Sequence, residues 1–157
     1  MIRFLSVVLP LSLASCIYSS AGPPPLAPLA EDQAQPGPAL AEHVLTTYFA
    51  QNPVTATAPT VCVSIAPRAF EDGQEKSLIA RFPRLAPLDR CKPSGARFVD
   101  ALTGAPAQVV QIYDFACDGP ASCNGWANIP GHPSTRYTQR WQDGSWRFAA
   151  DLRLIER

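Results

Sequence analysis

The sequence predicts an α+β domain, an antiparallel sheet of about four to five strands packed against two helices. Three observations predict it. Residues 39–51 place Leu40, Val44, Leu45, Tyr48 and Phe49 at helical spacing. Residues 136–152 alternate in character around Asp143-Gly144, a two-residue hairpin signal. A helix-strand-helix start followed by a run of strands is the pattern of helices gathered on one face of an antiparallel sheet.

The amino terminus stands apart from that domain. Arg3 is followed by an apolar run from Phe4 to Ala14, interrupted by Pro10 and ending in small residues. The run falls short of the roughly 20 apolar residues a membrane span needs, and it has the parts of a secretory signal. Leu13-Ala14-Ser15-Cys16 resembles the lipobox of bacterial lipoproteins. The resemblance implies cleavage before Cys16 and attachment of a diacylglycerol, palmitate among its acyl chains, to the Cys16 thiol. Acylation would also remove a reactive thiol from an oxidising compartment. Ile17, rather than Asp, follows the cysteine. In a Gram-negative host the resemblance then implies the periplasmic side of the outer membrane.

Residues 1–15 are therefore expected to be a signal peptide, 16–38 a lipidated cysteine with its tether, and 39–157 the domain. The tether contains Pro23, Pro24, Pro25, Pro28, Pro36 and Pro38 among small and polar residues, a composition too poor in apolar surface to fold. In polyproline II conformation some 22 residues reach roughly 70 Å.

Within the domain, Pro38 suits the first turn of the helix at 39–51, and Asn52-Pro53 ends it. Thr60 to Ala66 reads as a strand with Val61, Val63 and Ile65 on one face. Asp72 is the expected cap of a second helix through Phe82, which buries Leu78, Ile79 and Phe82 and is stopped by Pro83. Arg97–Leu102 and Gln108–Cys117 form an expected hairpin, and Trp126, Ala127 and Ile129 a short strand. In the last hairpin Trp141 should face Trp146, Gln139 Phe148 and Tyr137 Ala150, with Leu152 and Leu154 continuing that face. The element order and the turn Trp141-Gln142-Asp143-Gly144-Ser145-Trp146 resemble the cone-shaped nuclear transport factor 2 family. That family hosts enzymes and binders alike, so the resemblance implies a fold and leaves function open.

Cys62, Cys91, Cys117 and Cys123 remain beyond the anchor, an even number in an exported chain. Cys117 and Cys123 bracket a turn-rich loop and are expected to pair, which leaves Cys62 with Cys91. The spacing lacks the close pairs of structural zinc sites and any Cys-x-x-Cys motif, so neither metal nor cofactor is expected.

Composition narrows function. Removing Arg3 with the signal leaves 12 basic against 13 acidic residues. This balance gives no reason to expect a nucleic-acid partner. His43 and His132 are expected on a helix surface and in a solvated turn, with no paired metal-ligand spacing. No nucleophile turn or phosphate-cradling loop is present, so no catalytic residue is assigned. The leading expectation is a non-enzymatic interaction module of the cell envelope. The alternatives are a small-ligand binder with a pocket between helices and sheet, with Tyr137, Trp141, Trp146 and Phe148 as candidate lining, and an enzyme using Asp100, Asp114 or Asp151.

The last hairpin also supplies a candidate site. Its register turns Arg136, Thr138, Arg140, Arg147, Ala149, Asp151 and Arg153 away from the tryptophans, with Arg136 opposite Asp151 and Arg140 opposite Arg147. Facing arginines repel, and an anion between them relieves that cost. Arg136, Arg140, Arg147 and Arg153 are therefore the candidate anion-binding face, with lipid A phosphates, peptidoglycan carboxylates or an acidic envelope protein as ligands.

Overall fold

A computed structural model describes residues 26–53, 55 and 58–155, with side chains through residue 151. The lipobox and Cys16 lie outside the described residues. The elements in order are α1 (Pro36–Gln51), β1 (Thr60–Ile65), α2 (Asp72–Arg81), β2 (Cys91–Ser94), β3 (Arg97–Asp100), β4 (Pro106–Gly119), β5 (Ser122–Asn128), β6 (Thr135–Gln142) and β7 (Ser145–Ile155). Short 3-10 turns at Leu29–Glu31 and Leu88–Arg90 precede α1 and β2.

The α+β class is as expected, but the sheet has seven strands rather than four or five, and one of them is parallel. Strands β2 to β7 follow one another in antiparallel order, and β1 runs parallel to β4. Parallel pairing follows from the long connection between β1 and β4, which carries α2 and the β2–β3 hairpin. The additional strand β2 contains Pro93, which a sheet accepts at its edge.

The main core lies between the helices and one face of the sheet. Leu40, Val44, Leu45 and Tyr48 of α1 and Leu78 of α2 meet Val61, Val63, Val110 and Ile112. The expected phase of β1 holds: Val61 and Val63 join this core and Ile65 packs at its margin. The Tyr48 hydroxyl also donates to Gln108 Oε1 on β4. A smaller core on the opposite face gathers Cys62, Ala86, Cys91, Ala107 and Val109 against Phe98. The two disulfides join Cys62 to Cys91 and Cys117 to Cys123, the expected pairing. The first fastens β2 over that smaller core. The second links directly opposed positions of β4 and β5.

Three local features differ from expectation. The cap of α2 is Glu71, not Asp72: its side chain takes the Gln74 backbone N–H, and Gln74 Oε1 accepts the Glu71 N–H at 3.1 Å. The helix α1 begins at Pro36, and packing reaches back into the stretch read as tether. Leu29 is buried, and its N–H donates to Glu42 Oε2 at 2.7 Å. Trp146 Nε1 donates to the Asp32 carbonyl at 3.1 Å, and Gln139 Nε2 to the Pro36 carbonyl at 3.0 Å. The third feature is a register shift in β4 between Tyr113 and Ala116, where Asp114 adopts φ 50°. One extra residue there lets Phe115 pack at the core margin beside Gly37 and Gly125. A methyl group on Gly37 would lie 2.9 Å from Ile65 Cδ1, so helix and sheet approach closely at this point.

Candidate functional site

The face of the sheet turned away from the helices carries the candidate site. Asp143 and Gly144 have φ 51° and 74°, as a two-residue type I′ turn requires, and they fix the last hairpin. Trp141 pairs with Trp146, Gln139 with Phe148 and Tyr137 with Ala150, as expected. Trp141 and Trp146 meet edge to face at 5.5 Å on the helix side. On the outer face Arg140 is directly opposite Arg147, and both are exposed. Among the described residues neither makes a salt bridge. Arg136 is paired in register with Asp151, yet its Nη2 donates to Asn124 Oδ1 on β5 at 3.5 Å.

Regular pairing stops there. The register shifts between Arg136–Asp151 and Thr135–Ile155, so three residues of β7 have no opposite number. Arg153 falls within this break, and alternation no longer assigns it to the outer face. Leu152 and Leu154 are separated from the tryptophan face in the same way. The side chains of all three lie outside the described ones.

The remaining strands extend the outer face beyond the arginines. Tyr113, Trp126, Arg136 and Asp151 occupy successive opposed positions on β4, β5, β6 and β7, a single row across the sheet. The Tyr113 and Trp126 rings are near parallel, 11° apart in plane with centroids 6.3 Å apart. Neither belongs to a hydrophobic core. One row further, Asn128 Nδ2 donates to Gln111 Oε1 at 3.4 Å. These two amides border a groove of about 490 Å³ walled by Arg97 and Phe98. Sequence reading missed Tyr113, Trp126, Gln111 and Asn128, because no turn motif fixes the β4–β5 register and the Asp114 bulge shifts it.

The other sequence candidates do not converge on one place. Asp100 is buried and accepts from Arg90 Nε (3.2 Å), Thr60 Oγ1 (2.7 Å) and the Leu102 N–H (2.9 Å), as well as Arg90 Nη2. The Arg90 bond first, then those from Thr60 and Leu102, hold its carboxyl well below the usual carboxylate range. Asp114 sits at the bulge and Asp151 on the outer row of β7, so the three aspartates occupy separate places. Among the described residues no cluster of three His, Cys, Asp or Glu side chains could hold a metal ion. His132 is exposed in its turn, as expected. His43 is not a free surface residue: it is half-buried, stacked on Phe148 at 4.4 Å and edge-on to Tyr137 at 5.7 Å. Burial lowers its pKa.

A groove of about 580 Å³ beside β1 is lined by Val63, Ile65, Phe70 and Lys92. Its Glu75 accepts the Leu88 N–H at 2.8 Å and so supports the loop backbone. No helix among the described residues is long and apolar enough to cross a membrane. Comparison with known proteins finds no matching family model, curated protein or solved structure.

Proposed function

We propose that this chain is a membrane-anchored binding module of the cell envelope, held by lipid on Cys16, whose outer sheet face takes an anionic envelope component. The observation that carries the reading is the Arg140–Arg147 pair. Two exposed arginines occupy directly opposed positions on β6 and β7, and neither makes a salt bridge among the described residues. A phosphate or carboxylate between them exchanges repulsion for charge-assisted, bidentate hydrogen bonds. The interior offers less to a ligand, because Leu40, Val44, Leu45 and Tyr48 already fill the space between α1 and the sheet.

The test is co-sedimentation with anionic envelope fractions at low salt, where exposed charges are least screened. Arg140→Glu combined with Arg147→Glu should abolish binding and leave the circular dichroism spectrum unchanged. Retained binding by the folded double variant rejects the reading. A hydrolytic or transferase activity lost on a single substitution would replace it with an enzymatic one.

A further inference from the structure

We infer that the outer face binds an acidic saccharide chain, with sugar rings on Tyr113 and Trp126 and acid groups on the arginines; this rests on the anion-binding reading and specifies its ligand. Two large aromatic side chains stand on the face that no helix covers, outside both hydrophobic cores. Both residues are half-buried. Opposed positions on neighbouring strands bring Cβ atoms to about 5 Å, so Trp126 lies against both Tyr113 and Arg136. An aromatic ring beside a guanidinium suits a sugar acid: the C–H face of the pyranose covers the ring, and the carboxylate takes the guanidinium.

The surroundings supply the rest of the recognition chemistry. Gln111 and Asn128 lie on one side of the aromatic row, Asn124 and Thr138 on the other, and all offer donors and acceptors to hydroxyl groups. Ser122, Arg140 and Arg147 form the row at the far end. From Asn128 to Ser122 along β5 is about 20 Å at roughly 3.3 Å per residue. That length exceeds one sugar ring and fits a short run of them, entering over the groove at Phe98 and ending at the arginine pair.

Single-stranded nucleic acid also uses aromatic stacking in a basic groove. The chain carries 13 basic against 13 acidic residues, without the basic excess such a ligand selects. A saccharide needs fewer cations and more amides.

The experiment titrates the full mature protein in detergent with polygalacturonate, dextran, inorganic polyphosphate and a thymidine oligonucleotide, read by tryptophan fluorescence and calorimetry. Polygalacturonate should bind most tightly and dextran weakly. Trp126→Ala should weaken polygalacturonate about tenfold, as loss of a central aromatic anchor does, and leave polyphosphate unchanged. Trp126→Phe, which keeps a ring, should retain most of the affinity, and melting curves establish that each variant is folded. If polyphosphate equals polygalacturonate and Trp126→Ala affects neither, the saccharide inference fails while the anion reading stands. If no polyanion binds, both fail. Tighter binding of the oligonucleotide overturns the inference in favour of nucleic acid. If Trp126→Ala does not fold, the wild-type ranking of the four ligands, with the Trp126→Phe result, decides.

Discussion

Asp100 and His43 show how single side chains couple this fold to pH. The Asp100 carboxylate ties β3 to Arg90 before β2 and to Thr60 at the start of β1. Its folded-state pKa is depressed, so its contribution is present above the ordinary value of 3.8 and is lost as pH falls through the folded value. Asp100→Asn keeps the shape and removes the charge. It should lower the melting temperature at pH 7 by several degrees, and the gap from wild type should narrow as pH is taken below about 4. His43 works in the opposite pH direction from a paired cation. Its pKa is lowered from 6.5, so the fold prefers neutral imidazole, and stability falls as pH drops below 6.5 through the folded value. His43→Phe should abolish the fall that sets in below pH 6.5, measured by thermal melts from neutral pH downward. A slope that survives the substitution assigns it to other groups.

The first turn before α1 and the two disulfides govern element-level stability. Leu29 lies in a stretch whose composition reads as tether, yet it is 5% exposed and belongs to the main core. Leu29→Ala should cost about 2–3 kcal/mol in chemical denaturation, where a tether residue would cost nothing measurable. Breaking Cys62–Cys91, which spans 29 residues, should cost about 3–4 kcal/mol against about 2 for Cys117–Cys123, which spans 6. These elements were unequally legible in sequence. Helix α1, strand β1, the last hairpin and the cysteine pairs could be read, because each rests on local periodicity or on a turn. The docking of Leu29, Asp32 and Pro36 could not, since it depends on Glu42, Trp146 and Gln139, distant residues that read as ordinary helix or strand positions. Parallel pairing of β1 with β4 is equally non-local. The arginine half of the outer face follows from Asp143-Gly144, whereas its aromatic half needs a register that the Asp114 bulge displaces.

At the scale of the molecule, the proposed anchor and the proposed binding face should be separable. Arg81 Nη1 reaches the Leu26 carbonyl at 3.4 Å, so the described chain starts on the helical side, and the arginine pair is on the opposite face of the sheet. Packing begins at Leu29, inside the stretch whose composition reads as tether. Under the proposed anchoring, attachment on the helical side would turn the outer face away from the bilayer. Cys16→Ser should therefore move the protein out of the membrane fraction, or leave it as uncleaved precursor, without weakening binding of anionic envelope material by whatever folded protein is released. The double substitution Arg140→Glu and Arg147→Glu should do the reverse, keeping the protein in the membrane fraction while that binding is lost. Membrane fractionation, intact-mass measurement of the lipid and pull-down on anionic envelope material read the two properties independently. A wild-type mass without lipid, together with free elution from membranes, would reject the anchor. Loss of membrane retention in the arginine variant would instead show that the outer face contacts the host bilayer, and the separation of anchor from binding face would then be wrong.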